Sequence, residues 1–433
     1  MAVIVPIRGL RYNPNKISFI SRVVAPPYDI LDDEQVEKLQ ARDPHNVVRL
    51  TMGKTPAAGR PQEHYGRAAE LFSRWRQDGV LVRDEEPSIY VVEQAFRLAG
   101  QDLVRRGFVA GVLLEELGKG GVLPHERTMK APRADRYKLM EACRANLSQV
   151  LAIYPDADCR LDRLVADLCT GPQIYSFRDA DDIAYRGWRV TDPARIAELA
   201  ALIRERPLVI ADGHHRYESA WAYCQDRRAA GRPLGEAPED YVSAFCVSLS
   251  NPGLRSLPTH RRAKAAAPLP EDGGIAALQA TFDARRVETT GPEFLQRDFD
   301  EARGGAACIG CLLSGGELWL LAPRAPASLR ARFPASADPW WELPVATLHY
   351  VILPDMLGIQ PGSDDESLRV EYRASATEVC WGVESGAFDV GFLLPPTEPA
   401  AVERVATQGE RLPLKSTYFH PKPPSGLVIY PHD

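Results

Sequence analysis

No stretch of this chain approaches the roughly 18 consecutive apolar residues that a membrane-spanning helix needs, so none is expected. The opening Met1-Ala-Val-Ile-Val-Pro-Ile-Arg-Gly9 lacks the basic head and apolar body of a secretory signal. The eight cysteines, at 143, 159, 169, 224, 246, 308, 311 and 380, have no disulfide-like spacing, and a reduced cytoplasmic compartment is the expectation. An excess of charge of one sign is also small, with 52 basic and 58 acidic residues. A formal net charge of −6 argues against a general nucleic-acid binder, although it says little about any single cleft. No internal repeat is visible, and no lysine follows a glycine-rich loop in Walker spacing, which excludes a P-loop.

What is present is ordinary globular material, 45% hydrophobic and 25% charged, in a chain long enough for two or three domains. Strand and helix patterns alternate, which predicts a mixed α/β fold. Residues 88–96 and 106–114 read as paired strands with Gly100 in the turn, and Asn46-Val-Val-Arg-Leu50 reads as a strand. Helices are expected over 61–79, 133–145 and 193–205, the last capped by Asp192 with Pro193 in the first helical position. The expected domains are an N-terminal α/β region over 1–120, a phosphate-binding core over 121–265 and a C-terminal α+β region over 266–433 contributing to the cleft.

The densest chemistry lies in Ala211-Asp-Gly-His-His-Arg-Tyr217. An apolar run, Pro207-Leu-Val-Ile210, leads into it and a helical pattern follows to about Ala230. A strand that passes through Asp-Gly into a helix offers backbone N–H groups and a helix dipole to an anion. Gly213 permits close approach of a ligand, and Arg216 can grip phosphate through two donors. Asp212 could accept a proton or hold a divalent ion, and a histidine can change charge near neutral pH.

A second cluster, His125-Glu126-Arg127-Thr128, follows the glycine-rich Gly118-Lys-Gly-Gly121, with Asp135, Arg136 and Asn146 downstream. Glu126 is the preferred general base for a substrate hydroxyl, with His125 orienting it or sharing the role. Lys415-Ser416-Thr417 suits phosphate binding by its lysine and hydroxyls, with Tyr418 next to it. Thr259-His260-Arg261, Tyr28, Asp29, Asn46 and Arg49 are candidates to line the same cleft. Cys308 and Cys311 are spaced like a metal or redox pair, but period-2 apolar residues surround them and a buried strand is expected.

Ala25-Pro-Pro-Tyr-Asp29, Asn46-Val-Val-Arg-Leu50, His125-Glu-Arg-Thr128, Ala211-Asp-Gly-His-His-Arg-Tyr217, Pro258-Thr-His-Arg261 and Lys415-Ser-Thr-Tyr-Phe419 together resemble a bacterial and archaeal family catalogued as domain of unknown function ten-fifteen. Gly213-x-His215-Arg216 is also similar to the phosphate motif of the ParB/sulfiredoxin superfamily, which includes a free serine kinase and CTP-binding partition proteins. That resemblance implies a ParB/sulfiredoxin-like core. In it the Gly213 and His214 N–H groups and the Arg216 side chain bind nucleotide phosphates, joined by Tyr217, and His215 lies beside the transferred group. Sulfiredoxin's reactive cysteine falls where this chain has His214, so sulfinic-acid reduction is not expected.

The function expected is a nucleotide-dependent phosphotransferase acting on a small hydroxyl metabolite, a free serine kinase being the specific expectation. ATP or ADP would be the donor, with Mg²⁺ near Asp212. Thr128, Arg136, His260 and Arg261 join Tyr28, Asp29 and Arg49 as substrate-binding residues. The alternatives are a phosphoserine-type phosphatase and a non-catalytic, CTP-switch-like regulator. Expected partners are a nucleotide and a hydroxyl amino acid or phosphorylated metabolite, with a homodimer also considered. Nucleic acid and membrane are not expected partners.

Overall fold

Apolar runs bounded by turns become the strands of a mixed α/β protein. The computed structural model describes residues 1–52, 62–126, 128, 130–228, 231–325, 329 and 338–433. The chain folds into two compact units. The first comprises Met1–Pro124, Thr128–Arg255 and Pro421–Asp433, and the second His125–Arg127 and Ser256–His420.

The first unit is built on a nine-stranded sheet. Its strands are β1 (Ile4–Val5), β2 (Ile89–Leu98), β3 (Gln101–Leu113), β4 (Val122–Pro124), β5 (Val150–Tyr154), β6 (Tyr175–Arg178), β7 (Ala184–Val190), β8 (Leu208–Asp212) and β9 (Tyr241–Ser248). They lie in the order β4-β8-β5-β9-β3-β2-β7-β6, with β1 beside β3. β2 and β3 form the expected hairpin, closed between Leu98 and Gln101. Ala99 and Gly100 both take positive φ, +48° and +80°, which matches the twist of the strands they join. β8 is buried along its whole length, parallel to β4 and antiparallel to β5. That is why its sequence is a continuous apolar run rather than an alternation.

Helices α1 (Asp33–Arg42), α2 (Gln62–Gln77), α3 (Lys130–Cys143), α4 (Arg160–Asp167), α5 (Pro193–Arg204) and α6 (His214–Arg227) belong to this unit. The Asp32 carboxylate accepts from Gln35 N at 2.8 Å and the Gln35 side chain accepts from Asp32 N, a reciprocal box that starts α1. Asp192 and Pro193 start α5 as expected. Leu161 and Leu164 of α4 and Leu199 and Ile203 of α5 join Val91, Phe108, Ala152 and Ile210 of the sheet in one buried cluster. α6 lies against α3, where Ser219 Oγ donates to Arg133 O at 2.8 Å. Residues 61, 229 and 230, at the edges of two expected helices, lie outside the described residues.

The expected strand at 46–50 is not formed; Val48–Thr51 is a helical turn. Asn46 overrides the β-branched pair beside it. Its Oδ1 accepts from Val48 N at 3.0 Å, and its Nδ2 donates to Arg22 O at 2.7 Å and Val24 O at 3.1 Å. A short polar side chain that satisfies nearby backbone in this way holds a turn against strand propensity.

The second unit carries a six-stranded antiparallel sheet. β10 (His260–Ala263), β11 (Phe282–Val287), β12 (Ile309–Leu312), β13 (Leu318–Pro323), β14 (Val370–Arg373) and β15 (Val390–Leu393) run in the order β11-β13-β12-β15-β10-β14. Cys308 and Cys311 are buried at the start of β12 and within it, as expected, and β12 turns through Ser314–Gly316 into β13.

Candidate functional site

The Asp212–Arg216 turn lies entirely within the first unit. β8 ends at Asp212, and Gly213 takes φ +91° and ψ 30° before α6 begins at His214. Glycine adopts that left-handed geometry without strain. The absent side chain also makes room: a Cβ at Gly213 would stand 2.8 Å from Arg216 Nε and 2.9 Å from its Cζ. The Arg216 guanidinium therefore folds back onto the turn. No side chain caps α6, and helix geometry aims its first-turn N–H groups away from the helix.

Around this turn is a buried group of charges. Arg216 Nη2 donates to Asp212 Oδ2 at 2.6 Å, and its Nη1 donates to Gln149 O. Arg216 Nε is buried and makes no hydrogen bond. The other Asp212 oxygen accepts from Lys422 Nζ. Burial alone would raise the Asp212 carboxyl; Lys422 and Arg216 override it and hold the group well below the ordinary carboxylate range. Burial likewise opposes the charge on Lys422, but Asp212 and Asp29 keep its ammonium above the usual value. Lys422 belongs to none of the motifs; only its ion pair reveals it.

Tyr28 and Arg136 stand near these charges. The Arg136 guanidinium lies over the Tyr28 ring at 4.0 Å and donates through Nη1 to Thr51 O at 3.1 Å. Its Nε donates to Asp135 Oδ2 at 2.8 Å, while Tyr65 donates to the other Asp135 oxygen at 2.7 Å. A cavity of about 40 Å³ is lined by Thr51, Arg136, Asn146, Ser148 and Arg216 among others. Thr128 Oγ1 donates to Glu218 Oε2 on α6 at 2.5 Å. His214 is buried and His215 half-buried at the start of the helix.

Two residues expected at the ligand, Tyr217 and Arg49, are engaged with backbone of this unit. Tyr217 is buried, its hydroxyl accepting from Glu115 N and donating to Glu115 O at 3.1 Å. One residue beyond Arg216 turns the side chain about 100° round the helix, into the buried core cluster. Arg49 donates through Nη2 to Gln40 O near the end of α1, which satisfies a carbonyl of the last helical turn.

In the second unit, His125 is fully buried and its Nε2 is 3.1 Å from Thr417 Oγ1. Its carbonyl accepts from Leu412 N at 2.7 Å, and that of Glu126 accepts from Arg411 Nη1 at 3.2 Å. Ser416 gives its hydroxyl to Pro413 O at 2.6 Å, so it closes its own turn. Lys415 is exposed, at φ +55°. Arg261 is buried and donates to Leu414 O at 3.3 Å and Lys415 O at 3.0 Å. Its Nε faces His349 Nε2 at 3.3 Å, and His349 Nδ1 meets Glu366 Oε1 at 2.6 Å. Burial lowers the Arg261 guanidinium to about 10. Its neighbour His260 accepts from Leu394 N at 3.2 Å and is lowered to about 4 by burial, then by Arg261. His260 and Arg261 thus tie strands and loops of this unit together. Arg127 lies outside the described residues.

Among the described residues no group of three or more His, Cys, Asp or Glu side chains is placed to hold a metal ion. Asp212 has one oxygen on each of two cations, a donor set that does not fit the expected divalent ion. Among the same residues no helix is long and apolar enough to cross a membrane.

Fold and site thus define a mixed α/β protein with buried ionic groups gathered at a strand–glycine–helix turn. The chain belongs to the family described as protein of unknown function DUF1015, whose model matches residues 4–346. No curated protein is significantly similar to it. Solved structures similar to it include a free serine kinase mutant in complex with ADP, at 12% identity over 71% of this chain and 93% of that one, TM-score 0.31. A conserved hypothetical protein from Pyrococcus furiosus matches at 14% identity over 70% and 90%, TM-score 0.32. SbnI with C-terminal truncation from Staphylococcus aureus matches at 13% identity over 72% and 78%, TM-score 0.33. Likeness at this level assigns no activity.

Proposed function

We propose that the Asp212–Arg216 turn binds the phosphates of a nucleotide, and that the protein transfers a phosphoryl group to a small hydroxyl metabolite. Free serine or a similar amino acid is the foremost acceptor, ATP or ADP the donor, and a ParB/sulfiredoxin-like core the frame. The observation that carries this reading is the Arg216 guanidinium, folded onto Gly213 with a buried Nε–H that makes no hydrogen bond. A buried donor without an acceptor is unfavourable, and a phosphate oxygen at the turn would satisfy it. Phosphoryl transfer depends on positioning and on neutralising charge, which rigid buried cations provide without rearrangement.

In the reaction the acceptor oxygen forms a bond to the terminal phosphorus of the donor while the bridging oxygen of the donor leaves. The acceptor's proton passes to a carboxylate, a role that Glu126 suits by residue type. His214 and His215 stay assigned to the phosphate end and Thr128 and Arg136 to the acceptor. Any Mg²⁺ would arrive on the donor's own phosphates, because Asp212 is committed to Arg216 and Lys422.

The test is purified protein incubated with serine and ATP or ADP, with phosphoserine read by mass spectrometry. Phosphoserine formation is expected, and Glu126→Gln should abolish it while leaving nucleotide binding intact. Tight nucleotide binding without transfer to any of a panel of hydroxyl metabolites would overturn the assignment of transfer. Full turnover by Glu126→Gln would remove that residue as the base.

A further inference from the structure

We infer that the cavity bordered by Arg136 and Arg216 seats a carboxylate of the acceptor, which makes the acceptor class the small hydroxy acids, hydroxyl amino acids among them. This rests on the phosphotransferase reading above and names the group by which its acceptor is recognised. The cavity encloses about 40 Å³, room for roughly three water-sized atoms. A carboxylate fits that space, whereas a nucleobase or a sugar ring does not.

Hydrogen-bonding capacity selects the group. Two guanidinium side chains border the space, and among the described residues that line it none is acidic. Each arginine keeps its own carboxylate, Asp135 or Asp212, so recognition comes from the donors that remain rather than from a spare charge. Arg136 directs Nε and Nη2 to Asp135 Oδ2 and Nη1 to Thr51 O. A guanidinium carries five N–H groups, so one is left on each terminal nitrogen. That pair is the fork which the two oxygens of a carboxylate accept. An ammonium brings only further donors, and acceptors in the lining are already used. Asn146 Oδ1 accepts from Ser243 N at 2.7 Å, and Ser148 Oγ from Arg216 Nη1 at 3.4 Å. A wholly apolar group leaves the buried donors unsatisfied.

The pocket is built before a ligand arrives. Arg136 is only 9% exposed and its guanidinium lies over the Tyr28 ring at 4.0 Å, so little freedom is lost when it binds. Met140, Leu147 and Val242, all buried, form an apolar wall that strengthens the polar contacts beside it. Arg216 joins this pocket to the phosphate site, since it borders the cavity and also folds onto Gly213. A carboxylate in the cavity therefore leaves the remainder of a short hydroxy acid beside the turn proposed to hold the donor's phosphates.

The experiment is calorimetric titration of the full-length protein, with and without saturating ADP, using L-serine, D-glycerate and ethanolamine. The first two share a hydroxyl and a carboxylate; ethanolamine keeps the hydroxyl and the amine but has no carboxylate. Serine and glycerate should bind, and ethanolamine should be weaker by roughly a hundredfold or more, the loss of two charge-assisted hydrogen bonds. Arg136→Met should weaken both acids roughly tenfold to a hundredfold with ADP affinity unchanged. Arg136→Lys should recover only part of that, since lysine has no fork. Leu147→Phe, which fills the cavity, should likewise weaken the acids and spare ADP. Ethanolamine binding as tightly as serine, or neither acid binding to the wild type, overturns the proposal without any variant. Unchanged acid affinity in Arg136→Met or Leu147→Phe also overturns it. Acids that bind in this way but receive no phosphoryl group refute transfer alone, whereas equal phosphorylation of serine and ethanolamine refutes this proposal alone.

Discussion

Replacing Asp212 by asparagine removes one negative charge and little volume from between two cations. Arg216 and Lys422 then face each other across an amide that can accept from only one of them well. Breaking a buried ion pair from one side typically destabilises by about 3–5 kcal/mol, because the remaining charge is stranded. The retained amide oxygen places the expected loss at the lower end, about 3 kcal/mol, a large share of the roughly 5–15 kcal/mol that holds a domain together. Urea unfolding at pH 7 should show it as a lower midpoint at unchanged slope. Pyrophosphate should restore it, since an anion can take the carboxylate's place. At a hundred times its dissociation constant a ligand that binds only the folded state returns about 2.7 kcal/mol. The pH dependence has a definite sign. Because the folded-state value of Asp212 is depressed, its contribution is complete above the unfolded value of about 4 and fades as pH falls below it. The gap between wild type and variant should therefore be flat from about pH 5 to 8 and narrow in acid. A loss under about 1 kcal/mol at neutral pH, or a gap that widens on acidification, would refute the account of this ion group.

Gly213→Ala forces a Cβ onto Arg216 at a residue with φ +91°. It should lower stability by about 1–3 kcal/mol and weaken pyrophosphate binding together; normal binding in a folded variant would show that the turn does not contact the ligand. Asn46→Ala removes three side-chain hydrogen bonds, two of them to distant backbone, and should destabilise by about 1–3 kcal/mol by urea unfolding, without altering anion affinity in calorimetry. A change in affinity there would return the 46–50 segment to the ligand site.

The parts of the fold legible in sequence are those where one local signal decides. The Ala99-Gly100 turn, the Asp192-Pro193 helix start and the continuous apolar run of β8 are of that kind. Asn46 shows the limit: Val47 and Val48 favour a strand, and the outcome depends on carbonyls of Arg22 and Val24 that no window of sequence brings near. The same limit governs the site. Asp212, Gly213 and Arg216 stand out because an apolar run that passes through Asp-Gly into a helix marks an anion-binding turn, although the ion pair between Asp212 and Arg216 appears only in the fold. Lys422 gives no such signal, since it is an ordinary lysine among prolines until the fold brings it to Asp212. Lys415 has the more suggestive neighbours in sequence, yet it is exposed. Residue type shows what a side chain can do, but not that His260, Arg261 and Tyr217 would be buried.

The first unit is not one continuous piece of chain, because Pro421–Asp433 rejoins it after the whole second unit has been traversed. Ile429 exchanges backbone hydrogen bonds with Leu10, and Tyr430 pairs with Asn146. On a ribosome, the strands and helices that frame the Asp212 turn leave the exit tunnel long before Lys422 does. Until then the carboxylate has Arg216 alone. Completion of the ionic group is thus a late, long-range closure, the slow class of folding event. Formation of the Asp212–Lys422 pair would mark the closure of the first unit, well after most of its sheet has been synthesised.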